Sequence, residues 1–309
     1  MAQYSLNFTT LKGNDVKSLL RKYEEQLVAK LDRLLGFPRE KKRFLKAHDY
    51  PLNLNNPKSF NEKICHKKIY DRNPLLPIIA DKYKVRGYIK EVLGKQLADE
   101  ILIPLLAVAD TPNGINFKSL PNEYVIKSNH GSSNNIIIKD GDTLNVDEFK
   151  IIAKKWLTQL YGTRSHEWAY DQIPRKIIVE QLLKDESGNV PPDYKFSMIN
   201  GQCAFIQVDN ERFENFNRTL FTPNWELLDV SWKRKRGSSV AKPQNLEKML
   251  KLATILSKPF DYIRVDFYSL GDKIFFGELT NYPARGRGKF TPTEFDFEMG
   301  KKWTLPTKN

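Results

Sequence analysis

Asp266 and Glu278 are the residues whose type and spacing most directly suggest chemistry. Asp266 lies in Ile263-Arg264-Val265-Asp266-Phe267-Tyr268, and Glu278 in Ile274-Phe275-Phe276-Gly277-Glu278-Leu279-Thr280-Asn281. Each run reads as an apolar strand carrying a carboxylate, with a tight turn between them. A three-residue loop, Gly271-Asp272-Lys273, would set Asp266 directly across from Glu278 on one face of a hairpin. Like charges that close repel, so a shared cation bridging them explains the pair, and hard oxygen ligands favour Mg²⁺. A plainer account leaves one carboxylate solvated and pairs the other with Arg264; on the hairpin alone both stay open.

Mg²⁺ held by one or two carboxylates keeps positions for waters and phosphates, so a phosphate cradle elsewhere bears on the choice. Tyr124 to Ile138 reads as strand, small polar loop and β-branched strand. In that loop Gly131 lets backbone approach an anion, and Ser132 and Ser133 offer hydroxyls. Lys127 projects from a buried-looking strand, where an ammonium is costly unless it meets an anion such as a nucleotide phosphate. Taken singly, the loop also fits an ordinary hairpin. A third strand, Lys176 to Leu183, ends at Glu180-Gln181-Leu182, where backbone groups can pair with an adenine edge. Asp193 to Ile199 and Cys203 to Val208 flank Asn200-Gly201, a type I′ hairpin signal.

These pieces resemble the ATP-grasp superfamily, and within it the TupA-like branch, from about Asn56 to about Pro292. The branch-specific stretches are Asn56-Pro57-Lys58-Ser59-Phe60-Asn61-Glu62-Lys63-Ile64 and Tyr70-Asp71-Arg72-Asn73-Pro74-Leu75-Leu76. Ala80-Asp81-Lys82-Tyr83, the Lys127 to Asn135 loop, Asp193-Tyr194-Lys195-Phe196 and Phe276-Gly277-Glu278-Leu279-Thr280 match the superfamily's working parts. The resemblance implies an α+β fold that binds ATP between two α+β subdomains, preceded here by an N-terminal helical segment. It implies residues 1–55 as a helical, basic segment, 56–120 as the N-terminal ATP-grasp region, 121–183 as the small subdomain with its flap, and 184–309 as the metal-bearing subdomain.

The implied activity is ATP-dependent ligation of a carboxylate to an amine through an acylphosphate, with ATP and Mg²⁺ as cofactors. Lys82 and Lys127 look like the phosphate-gripping lysines, with Gly131, Ser132 and Ser133 as the flap and His130 beside it. Glu180, Gln181 and Leu182 match the adenine hinge, Asp193 looks like the ribose carboxylate, with Asp185 or Glu186 as alternatives, and Lys195 is a further nucleotide-binding candidate. Arg264 matches the arginine that stabilises the acylphosphate, and Asp266 and Glu278 match the metal ligands. Thr280 stands where an asparagine ligand is common. Arg212 and Arg218 are further candidate phosphate or carboxylate contacts. Ala284-Arg285-Gly286-Arg287-Gly288-Lys289 replaces a Gly-Ser-Gly of the branch, so Arg285, Arg287 and Lys289 are candidates for holding the acceptor. The branch points to an amide between an amino acid or amine and a sugar acid in a cell-surface polysaccharide such as a capsule, O-antigen or teichuronopeptide.

Length and composition fit that class. At 309 residues and 40% hydrophobic content the chain can bury a sizeable core. No apolar run is long enough to span a membrane, and Cys65 and Cys203 make neither a disulfide framework nor a metal motif, so a cytoplasmic setting is expected. The net charge of +13 calls for an acidic partner. A basic cluster beside an aromatic, Trp232-Lys233-Arg234-Lys235-Arg236, raises nucleic acid as a rival, but that reading leaves Asp193, Asp266 and Glu278 without a role. A glycosyltransferase is a second rival, and no Asp-x-Asp motif supports it. At the N-terminus, Leu19, Leu20, Tyr23, Leu27, Leu31, Leu34 and Leu35 recur at helical spacing before Gly36-Phe37-Pro38, followed by Arg39, Lys41, Lys42, Arg43 and Lys46. Packing on the core is the default for such a stripe; a second subunit or an anionic membrane is the alternative.

Overall fold

The computed structural model describes residues 13–210 and 217–306. Six helices come first: α1 (Gly13–Leu34), α2 (Pro38–Ala47), α3 (Phe60–Tyr70), α4 (Leu75–Ala80), α5 (Val85–Leu93) and α6 (Lys95–Ile101). β1 (Leu105–Ala109), β2 (Tyr124–Ser128), β3 (Asn135–Ile138), α7 (Val146–Thr158) and β4 (Ile177–Gln181) follow. The remainder is β5 (Asp193–Ile199), β6 (Gln202–Asn210), β7 (Asn217–Phe221), β8 (Ser231–Trp232), α8 (Leu246–Ser257), β9 (Tyr262–Leu270), β10 (Lys273–Thr280), β11 (Phe290–Thr291) and α9 (Glu294–Lys302).

The strands form two antiparallel sheets, ordered β1-β4-β2-β3 and β10-β9-β5-β6-β7, and a short β11-β8 ribbon. Each sheet has its own core. Ile126, Ile177 and Val179 of the four-stranded sheet bury against Phe149, Ala153 and Trp156 of α7. Phe196, Phe205, Ile206, Val265 and Phe267 of the five-stranded sheet bury against α3 to α6, α8 and α9. The opposite faces carry the mixed charged and apolar side chains that line the space between the sheets, Val125, Lys127, Ile137 and Glu180 on one and Lys195, Asp266 and Tyr268 on the other.

The branch-specific Ser59-Phe60-Asn61-Glu62 stretch is a structural joint. Ser59 Oγ accepts the Glu62 amide at 3.1 Å while Glu62 Oε2 accepts the Ser59 amide at 2.9 Å, a capping box that starts α3. Asn61 Nδ2 donates to Asp296 Oδ2 at 2.7 Å and to the Gly288 carbonyl at 2.9 Å, tying α3 to the chain's C-terminal elements. Trp232 is buried against Phe290 and donates its indole NH to the Gly288 carbonyl at 2.7 Å, so it is core, not a stacking platform for a base.

The leucine stripe of α1 turns out from the body. Leu20, Tyr23, Leu27, Leu31 and Leu34 are exposed, which corrects the expectation that they pack on the core. No helix among the described residues is long and apolar enough to cross a membrane.

Candidate functional site

A cleft of about 880 Å³ opens between the sheets. Val125 and Lys127 of β2, Asn135 and Ile137 of β3, and Glu180 and Gln181 of β4 line one side. Asp193 and Lys195 of β5, Asp209 of β6, Asp266 and Tyr268 of β9, and Glu278 of β10 line the other. Lys82, Gly131, Ser132, Ser133 and Leu182 complete the set of expected residues found there.

Asp266 and Glu278 are cross-strand partners, as expected, but by another route. The turn is the two residues Gly271-Asp272, and an extra residue, Gly277, bulges from β10 and restores the pairing one step later. Glycine suits this bulge: a Cβ on Gly277 would sit 3.1 Å from the Asp266 carbonyl and 3.3 Å from the Tyr268 ring, tight contacts that would make its neighbours give way. Arg264 bridges the carboxylates, its Nη2 donating to Asp266 Oδ2 at 2.6 Å and Glu278 Oε1 at 2.9 Å. The repulsion between them is therefore relieved from within the chain and does not by itself demand a metal. Burial opposes the charge of Arg264, but Asp266 and Glu278 outweigh it and raise its pKa further. Burial likewise opposes the Glu278 charge, yet Arg264, Lys82 and Lys195 hold its carboxyl down to about 2.

Lys195, on the strand beside Asp266, faces three acids: Asp193 at 2.5 Å, Asp266 at 3.2 Å and Asp209 at 3.8 Å. Arg218 holds Asp209 bidentately at 2.7 and 3.2 Å and lies over Trp232, so this expected contact is committed to a protein carboxylate and is not part of the lining. Arg212 lies outside the described residues. Thr280 donates to Glu278 Oε1 at 3.0 Å, fixing the glutamate's rotamer.

Across the cleft, Lys127 Nζ is 2.8 Å from Glu180 Oε2, and Arg86 of α5 reaches Glu180 Oε1 at 3.4 Å. The charge expected to need a phosphate already has a carboxylate partner on the neighbouring strand. Lys82 is set by a turn in which Asp81 Oδ1 accepts from the Tyr83 amide and from Asn129 Nδ2. Its own amide donates to the Asn129 carbonyl at 2.8 Å, and its Nζ donates to the Gly131 carbonyl at 2.7 Å, so Lys82 braces the Gly131 loop. Burial pushes its ammonium pKa down against the pull of Glu278. His130 is fully buried, with its pKa pushed down to about 3 by burial and by Arg175 and Lys82, and it does not line the cleft.

Sequence reasoning missed Asp209, Arg86 and Tyr161. Tyr161 packs on Gly131, where a Cβ would come within 2.8 Å of its ring, and its hydroxyl lies 2.9 Å from Ser132 Oγ. Arg285 lies over the same ring at 5.3 Å, with its Nε 2.9 Å from Glu167. Arg287 pairs with Glu40 at 3.2 Å and Lys289 with Asp49 at 2.6 Å. The three expected acceptor cations thus pair with acids on neighbouring segments and do not line the cleft.

The donor set suits a hard divalent cation. Asp266 and Glu278 both reach the cleft; the hydrogen bonds to Glu278 among the described residues fall on Oε1, leaving Oε2 for a ligand, whereas both Asp266 oxygens accept from Arg264 and a cation would share them with the guanidinium. Three or more His, Cys, Asp or Glu side chains clustered as a metal cage do not occur among the described residues.

No curated protein matches this chain. Similar solved structures include D-alanine–D-alanine ligase from Bacillus anthracis (18% identity, 66% of this chain and 57% of that one, TM-score 0.39). D-Alanine–D-alanine ligase from Helicobacter pylori (14%, 75% and 60%, 0.41) is another. N5-carboxyaminoimidazole ribonucleotide synthetase from Thermus thermophilus (10%, 69% and 48%, 0.40) is a third. The chain spans less than two thirds of the length of each, and the likeness is faint. The family rests instead on a sequence model, TupA-like ATPgrasp, which matches residues 62–304. The expected use of ATP agrees with that family. With most of its length matched, the chain belongs to the TupA-like ATP-grasp family.

Proposed function

We propose that the chain is an ATP-dependent ligase that activates a carboxylate as an acylphosphate and joins it to an amine. The supporting observation is the cleft itself, where a flap with two lysines faces the Asp266, Glu278 and Arg264 cluster across about 880 Å³. Adenine fits along Glu180 to Leu182, and the ribose fits near Asp193. Lys82 and Lys127 hold the phosphates, with Gly131, Ser132 and Ser133 closing over them. Asp266 and Glu278 would hold Mg²⁺, which offsets phosphate charge as the γ-phosphoryl group moves. Arg264, kept cationic between the carboxylates, faces the charge that develops on the transferred group and on the acylphosphate. Attack of the amine on the acyl carbon then expels phosphate, so no nucleophilic side chain is needed.

The acceptor reading is a sugar acid or acidic glycan joined to an amino acid or amine in cell-surface polysaccharide assembly. The cationic surface supports it: Lys233 and Arg234 follow β8, Arg234 lines the cleft, and Arg218, Arg234 and Arg285 are near enough to hold the Lys233 pKa down together with burial. Arg285, near Lys233, adds charge to this rim, while Arg287 and Lys289 pair with Glu40 and Asp49 away from it. The N-terminal cations suit an enzyme working beside an anionic surface.

The test is ADP release by the purified protein across a panel of uronic acids and amines, with hydroxylamine as an alternative nucleophile. Carboxylate-dependent ADP release with hydroxamate formation is the expected result. ADP release that no carboxylate stimulates would contradict the ligase reading.

A further inference from the structure

α1 is fastened to the body along one side. Arg164 lies 3.5 Å from Glu25, and His166 Nε2 lies 2.8 Å from Asp32 Oδ2. At about 100° per residue, Leu20, Tyr23, Leu27, Leu31 and Leu34 fall on the opposite side. They are between 47% and 72% exposed, so a continuous apolar stripe runs along the outside of the molecule. An amphipathic helix usually turns such a stripe inward, and this one has its polar side against the protein.

Charge identifies what would cover it. Residues 13–47 hold ten Lys and Arg against five Asp and Glu, +5 of the chain's +13. Two of those acids, Asp32 and Glu40, are buried and paired internally, Glu40 with Lys68 at 2.5 Å. The cations stay outside: Lys30 and Arg33 are exposed beside the stripe, and α2 exposes Lys41, Lys42 and Lys46 around an exposed Leu45. A second copy would bring two such positive faces together, at an electrostatic cost. An anionic surface with an apolar interior is complementary to both features at once.

We propose that α1 and α2 dock this protein on an anionic lipid surface, the leucine stripe entering the headgroup boundary and the lysines and arginines meeting lipid phosphates. This goes beyond the ligase reading and does not depend on it, since its readout is lipid binding. The full chain is sedimented with vesicles of phosphatidylglycerol in phosphatidylcholine and, in parallel, with phosphatidylcholine alone. Binding to the anionic vesicles only, weakened by added salt, is expected. Leu27→Glu with Leu31→Glu should reduce it by at least about tenfold, and Lys41→Glu with Lys42→Glu should reduce it too, with thermal unfolding and ATP-analogue binding unchanged. Three results would each overturn the proposal: no binding to either vesicle, equal binding to neutral vesicles, or a dimer that the paired leucine substitutions dissolve.

Discussion

Asp266 and Glu278 stand opposite each other because Gly277 is an extra residue in β10, and Arg264 clasps both carboxylates at 2.6 and 2.9 Å. Without the bulge, the two-residue turn would put Gly277 opposite Asp266 and move Glu278 to the other face of the hairpin.

Gly277 is therefore a sensitive position. Gly277→Val places carbon against the Asp266 carbonyl and the Tyr268 ring, at a cost of about 1–3 kcal/mol. Denaturant unfolding should show that loss, and nucleotide turnover should fall further than stability does, because the carboxylate register is disturbed.

The lysines should separate from their partners in kinetics. Lys127→Ala should raise KM for ATP by about tenfold, since it removes phosphate charge, with a smaller change in kcat. Glu180→Gln should change KM less, because Lys127 keeps its charge and can still meet phosphate.

Tyr161 should act on the flap through Ser132. Tyr161→Phe removes the hydroxyl 2.9 Å from Ser132 Oγ but keeps the ring under Gly131. KM for ATP should rise about two- to fivefold, as for loss of one neutral hydrogen bond, while Tyr161→Ala should cost more.

Glu167 gives a pH signature. Burial raises its carboxyl from 4.5 to about 6 against the pull of Arg285, Lys68 and Arg287. Between those values the folded chain holds a proton that the unfolded chain has released, so stability falls as pH rises through that window. Glu167→Gln should flatten that part of the pH profile of urea unfolding, and an unchanged slope would contradict the assignment.

Much of this site was legible because it is local. The hairpin carrying Asp266 and Glu278, the Gly131 loop and the Asn200-Gly201 turn, where both residues take positive φ, each declare themselves within about ten residues. The bulge was not legible, because a glycine between Phe276 and Glu278 reads equally well as part of an ordinary strand. The pairing of Lys127 with Glu180 needed the order of strands, which joins β2 to β4 across more than fifty residues. Asp209 and Arg86 were missed for the same reason, and the only sequence signal for Asp209 was its place after the buried run Phe205 to Val208. The direction of the α1 stripe was illegible, since helical periodicity reports that one side is apolar and is silent on which side meets the body.

The central claim is that Asp266 and Glu278 form the metal side of a nucleotide site. Calorimetric titration of a non-hydrolysable ATP analogue, with and without Mg²⁺, tests it on the native chain and on Asp266→Asn. The account predicts binding that strengthens with Mg²⁺ and loses that strengthening in the variant, with its folding retained. Binding of equal strength with and without Mg²⁺, or the same Mg²⁺ dependence in both proteins, would contradict it.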